Sequence, residues 1–154
     1  FVGLADSTAA RPRMAAAAVF TSNRVFAAPV KWSRQAVADG QLQAVVLNSG
    51  GANACTGAEG FADSAATASR VADRLGLITD NVAVCSTGLI GLRLPMDKLL
   101  PSGDAACAAL SADGGADAAT AIMTTLRSVE SERCSSRNTS RMVTAAPVAV
   151  TAPE

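Results

Sequence analysis

A strand, a helix and a second strand follow one another across the middle of the chain, and that order decides the fold class. "LQAVVLNSG" (42–50) is a short apolar run closed by Asn-Ser-Gly, the pattern of a buried strand. "AEGFADSAATASRVADRLG" (58–76) carries Phe61, Ala65, Ala68, Val71, Ala72 and Leu75 along one helical face and stops at Gly76. "NVAVCSTG" (81–88) is again strand-like. Alternation of this kind predicts an α/β fold, in which ligands collect at the carboxyl ends of the strands.

The flanks extend the alternation. "AAAAVFTSNRV" (15–25) has the β-branched and aromatic content of a strand, with Asn23 at a turn. "PVKWSRQAVADG" (29–40) reads as a short amphipathic helix that begins at Pro29 and stops at Gly40. "LPMDKLLPSG" (94–103) begins a helix that Pro101 breaks, and the alanine-rich stretch 104–125 is mostly helical with an interruption at Gly114-Gly115. The opening, 1–14, has no clear period. Residues 126–154 turn Ser/Arg-rich and then Ala/Pro/Val/Thr-rich, which predicts a poorly ordered tail.

Composition narrows the function. The chain has 154 residues, 49% of them hydrophobic, enough for one domain with a real core. Formal net charge is zero, which points away from nucleic acid and anionic membrane as partners, and no apolar run is long enough to span a bilayer. The four cysteines, Cys55, Cys85, Cys107 and Cys134, form no C-x-x-C pair, so they read as buried reduced thiols of a cytoplasmic protein rather than a zinc or redox motif. There is no histidine. An enzyme of this sequence needs a carboxylate, a lysine or a terminal amine as its base. Asp63, Asp73, Asp80 and Asp97 read as solvated helix or turn residues.

Three short stretches could carry chemistry. "NSGGANACTG" (48–57) could cradle a phosphate on its backbone N–H groups, although it matches neither a P-loop nor G-x-G-x-x-G. In "STGLIG" (86–91) the Thr87 hydroxyl and the Gly88 N–H are the parts of an oxyanion hole. "AIMTT" (121–125) ends an apolar helix with two hydroxyls. Each stretch taken alone reads more readily as a structural turn or helix end.

Taken in order, "VFTSNRVFAAPV", "VVLNSGGANACTG", "VCSTGLIGLRLPMDKLL" and "ATAIMTT" closely resemble the ornithine acetyltransferase family of arginine biosynthesis, from about Ala15 to Thr125. The resemblance implies an α/β fold of the N-terminal-nucleophile kind, with 15–125 as its α-chain-like domain between an unmatched segment 1–14 and an atypical tail 126–154. It implies self-cleavage into α and β chains, assembled as a heterotetramer of two of each. Cleavage would expose a threonine whose own amino group activates its hydroxyl, which answers the missing histidine. That threonine would carry acetyl from N-acetylornithine to glutamate, with acetyl-CoA as a further donor in bifunctional members. Neither a metal nor an organic cofactor is implied.

Residue by residue, the resemblance assigns Thr87 and Gly88 to the oxyanion hole, and Thr124, with Thr125 beside it, to substrate contact. Asn48, Gly51 and Asn53 match a family motif without an assigned role. The likeness stops where the family continues with Asp and then Lys, since Leu126-Arg127-Ser128 stands here. No Lys-Gly-x-Gly-Met segment or nucleophilic threonine is recognisable downstream, and Thr139 and Thr144 have the wrong neighbours. A shifted reading frame or a truncated gene would leave such a pattern, and the chain alone is then expected to lack turnover. Two other readings compete. One is a non-catalytic α/β binding module using the small-residue loops. The other is a cysteine hydrolase using Cys55 or Cys85, which the lack of histidine disfavours.

Overall fold

The computed structural model describes residues 13–112, 114 and 118, together with the backbone of 141–144. Its centre is the strand–helix–strand unit expected from the sequence. β3 (Ala44–Gly51) and β4 (Val82–Leu89) lie parallel, with Ala44 opposite Val82 and Gly51 opposite Leu89. The crossover between them is α2 (Gly57–Leu75), which ends on Gly76 at φ 66°, a left-handed conformation that glycine adopts without steric cost. β3 alternates buried and half-buried residues. Ala44 and Val46 pack with Val82 and Val84 of β4 against Ala68, Val71 and Ala72 of α2. These small side chains let the helix approach the sheet closely, and each buried valine contributes roughly 1.5–3 kcal/mol.

α1 (Ala28–Ala36) starts with Pro29 in its first turn and lies along the outer edge of β4. Ser33 acts there as a substitute strand. Its hydroxyl donates to the Val84 carbonyl at 2.7 Å and accepts from the Val84 N–H at 2.9 Å. Trp32 Nε1 donates to the Val82 carbonyl at 2.9 Å. An edge that would otherwise offer unpaired backbone groups to another chain is thereby covered.

α3 (Met96–Ala108) packs on α2, where Asp104 receives both Arg70 and Arg74, at 2.6 and 3.1 Å. β5 (Arg141–Thr144) joins the other side of β3 in antiparallel fashion, Val46 opposite Thr144, giving the sheet order β4-β3-β5. A separate ribbon pairs β1 (Met14–Ala15) with β2 (Gln41–Leu42).

The structure departs from the sequence reading in several places. The strand expected over 15–25 is only the two residues of β1. Beyond them Thr21 and Asn23 spend their side chains on local turns, Thr21 Oγ1 accepting from the Asn23 N–H and Asn23 Oδ1 from the Val25 N–H, each at 3.1 Å. Phe20 and Phe26 instead flank the Arg34 guanidinium, 5.3 and 4.8 Å from their ring centres. α1 ends at Ala36, short of Gly40, which follows a turn.

Pro101 does not break α3; the helix runs through it. The fully buried Leu99 and the two arginines on Asp104 hold the turns on either side, and offset a cost of about 3 kcal/mol for an interior proline. Asp63 is not solvated but 6% exposed, gripped by Arg93. Cys55 and Cys85 are free thiols but exposed, and Cys107 is half-buried, packed against the core that α2 shares with the sheet. Within the tail, Arg141–Thr144 is a strand. The remaining tail, the helix end 119–125 and Cys134 lie outside the described residues.

Candidate functional site

Both small-residue loops fall at the carboxyl ends of the parallel strands, where the α/β pattern places ligands. The first loop is built around a buried asparagine. Asn53 is fully buried at φ 49°, with Oδ1 accepting from Thr56 Oγ1 at 2.7 Å. Its Nδ2 donates to the Gly60 carbonyl at 2.8 Å and to Ser64 Oγ at 3.1 Å. Its own carbonyl accepts from Ala28 N–H at 3.0 Å, the start of α1. One residue, through its side chain on α2 and its backbone carbonyl on α1, thus joins the beginnings of both helices. Gly60 has no room for a Cβ, which would run into Thr56 and Asn53.

This loop forms one wall of a cavity of about 400 Å³, with Arg24, Phe26 and Lys31 opposite Cys55, Thr56 and Gly57. Thr87 and Gly88 do not line it.

The second loop is the end of β4. Asn48 of β3 is 2% exposed and sits opposite Ser86, whose hydroxyl donates to Asn48 Oδ1 at 2.5 Å. Asn48 Nδ2 reaches the Gly51 carbonyl at 3.3 Å. Ser49 and Thr87 come next in register, then Gly50 and Gly88. Gly88 holds φ 133°, and a Cβ there would lie 2.5 Å from the Gly50 carbonyl carbon and 2.8 Å from the Gly51 nitrogen. The strands therefore touch backbone to backbone at this point, which only glycine allows.

Alternation fixes where the donors face. Val84 turns its N–H and C=O outward to Ser33, whereas the Leu89 carbonyl faces inward and accepts from the Ala52 N–H at 2.8 Å. Four residues along from Val84, the Gly88 N–H belongs to the same outward set. Ser86 points toward the α2 side, so the Thr87 side chain leaves from the opposite face. Thr87 and Gly88 are thus consecutive residues at the carboxyl end of β4, the one half-buried and the other exposed.

The segment after them is tied down at several points. The Gly91 N–H donates to the Ala54 carbonyl at 2.9 Å, and Leu94 is buried against Gly51. Arg93 clasps Asp63 with Nε and Nη2, at 3.0 and 2.7 Å, and Glu59 with Nη1, at 3.0 Å. The pair raises the Arg93 pKa from its ordinary value, chiefly through the hydrogen bond to Asp63. Sequence reasoning missed this clamp because an aspartate in mid-helix looks solvated until its partner from another loop is known.

Cys85 lies on the Thr87 face, where desolvation pushes its thiol pKa up and keeps it neutral near pH 7. It is a poor nucleophile there, and no imidazole exists to activate it. Among the described residues no group of three or more potential ligands could hold a metal, and no helix is long and apolar enough to cross a membrane. Thr124 and Thr125 lie outside the described residues.

Comparison with known proteins agrees with this architecture. The sequence profile of the ArgJ family matches residues 5–151, a span that reaches into both stretches in which the motif likeness fails, and the chain belongs to that family. The arginine biosynthesis bifunctional protein ArgJ of Thermobifida fusca is 65% identical over 114 residues, 74% of this chain and 30% of that protein. Its counterpart in Streptomyces coelicolor is 64% identical over the same length. The chain thus spans about 30% of the length of these curated relatives. Among solved structures, the ornithine acetyltransferase of Mycobacterium tuberculosis, crystallised with ornithine, superposes with a TM-score of 0.71 at 45% identity, covering 91% of this chain and 77% of that one. The ArgJ protein of Bacillus halodurans gives 0.67 at 30% identity, covering 93% and 78%.

Proposed function

We propose that this chain is the α portion of a glutamate N-acetyltransferase that moves acetyl from N-acetylornithine to glutamate in arginine biosynthesis. The observation that carries the reading is the Thr87–Gly88 pair at the sheet rim, in a chain whose family includes an ornithine acetyltransferase crystallised with ornithine. A threonine hydroxyl from the β portion attacks the acetyl carbonyl. The carbonyl oxygen becomes an oxyanion, held by the Thr87 hydroxyl and the Gly88 N–H. The C–N bond then breaks, the amine leaves as ornithine with the proton taken from the nucleophile, and acetyl remains as a threonine ester. Glutamate nitrogen attacks that ester through the same oxyanion geometry, and acetylglutamate departs as the hydroxyl regains its proton. Thr124 and Thr125 contact substrate in this scheme. Acetyl-CoA serves as a second acetyl donor in a bifunctional form, and no metal or organic cofactor takes part.

The same reading makes the working enzyme a cytoplasmic heterotetramer of two α and two β chains. It assigns no turnover to this chain by itself, since no segment of it matches the family's nucleophile. Replacing the matching residues of the Thermobifida fusca protein with 15–125 of this chain tests the function. Acetylornithine-dependent formation of acetylglutamate by the chimera is expected, and a folded but inactive chimera would count against the reading. Turnover by the purified chain alone would overturn the assignment of the nucleophile to a separate portion.

A further inference from the structure

We propose that Asn48 is a positioning residue for the oxyanion donors, acting through Ser86. The inference rests on the acetyl-transfer reading and adds to it a residue on the neighbouring strand. A buried asparagine amide on the core side of a small sheet needs a reason, since desolvating it costs free energy unless its groups are paired. Asn48 is 2% exposed, yet neither of these side-chain hydrogen bonds goes to α1 or α2. Both go to the ends of the two parallel strands. Oδ1 accepts a hydrogen bond from Ser86 Oγ at 2.5 Å, and Nδ2 donates back to the Gly51 carbonyl at 3.3 Å.

Those two partners bracket the donor pair. Ser86 is the residue before Thr87, and Gly51 follows Gly50, whose carbonyl carbon sits where a Cβ on Gly88 would clash. Asn48 therefore fixes β4 relative to β3 one residue before the donors begin. Beyond it the glycines have no side chains with which to hold each other. The hydroxyl and N–H of an oxyanion hole stabilise charge only if their positions are set before reaction, and a misplacement of about 1 Å costs roughly 100-fold in rate. Neither Asn48 nor Ser86 touches substrate in this scheme.

The test uses the chimera with the Thermobifida fusca protein. Ser86→Ala removes the hydroxyl from a half-exposed position and is expected to lower kcat about 10-fold with KM for glutamate unchanged. Ser86→Thr, which keeps a hydroxyl, is expected to restore most of the rate. Asn48→Ala should lower kcat similarly, and the double variant should be no worse than either alone, because one link is being cut twice. A fall in melting temperature with kcat unchanged would reduce Asn48 to a structural residue and overturn the proposal. If the unsubstituted chimera folds without activity, the acetyl-transfer reading fails first. The positioning claim is then read on this chain alone, labelled with nitrogen-15. Asn48→Ala should shift or broaden the Thr87 and Gly88 amide signals, and unchanged signals would overturn it.

Discussion

Two residues at the strand ends carry consequences that one substitution each can expose. Gly88→Ala places a methyl group against Gly50 and asks alanine to hold φ 133°. A loss of at least about 2 kcal/mol in stability is expected by urea unfolding, together with loss of acetyl transfer in the chimera. Asn53→Ala removes the buried amide that bonds the Gly60 carbonyl, Ser64 and Thr56, and keeps a left-handed φ of 49°. It should cost about 3 kcal/mol. Asn53→Gly relieves only the backbone part and should recover about 1 kcal/mol of that in the same measurement. The motifs that hold these residues stood out in the sequence, but their division of labour did not. "NSGGANACTG" looked like an anion cradle, and in the fold its second asparagine is the pin between two helices. What separates the readings is the direction of one side chain, which spacing along a chain does not encode.

Elements show a different boundary between what sequence patterns carry and what they leave out. The period of α2 and the apolar runs of β3 and β4 were legible because each buries a face against the others, and burial imposes period. The segment 15–25 has strand composition but gains a partner only at Met14–Ala15, so its propensity goes unused. The polar half of the α2 face, Asp63, Ser64 and Thr67, was illegible because the burial of such groups depends on partners far along the chain. α1 was legible as a helix but not as an edge cover. Ser33→Ala tests that role. It strips the Val84 N–H and C=O of their partner in a buried setting, and a loss of about 1–3 kcal/mol is expected by thermal or urea unfolding. Faster aggregation of the variant on warming, followed by light scattering, should accompany it, because β4 would regain an open edge.

For the molecule as a whole, acid is the informative perturbation. Hydrogen bonding to Arg70 holds the Asp104 carboxyl below the ordinary carboxylate range, with the nearby Arg74 adding to the effect. A carboxylate whose folded pKa lies below its unfolded value contributes stability that is full above the unfolded value. That contribution fades as pH falls through the folded one. The α2–α3 contact should therefore weaken below about pH 4. Asp104→Asn should flatten that part of a melting-temperature profile while costing stability at neutral pH. The attachment of β5 to β3 lay beyond sequence reasoning, since antiparallel pairing between strands so far apart in the chain leaves no local mark. The placement of Thr87 and Gly88 on β4 has a last consequence. In the proposed scheme one donor lies in the plane of the sheet, pointing off its rim, and the other stands up from the face turned away from α2. An atom held by both would then arrive diagonally, over the corner where rim and face meet. On that scheme the pleat of a strand sets the approach path of a reactant, before any pocket wall is added.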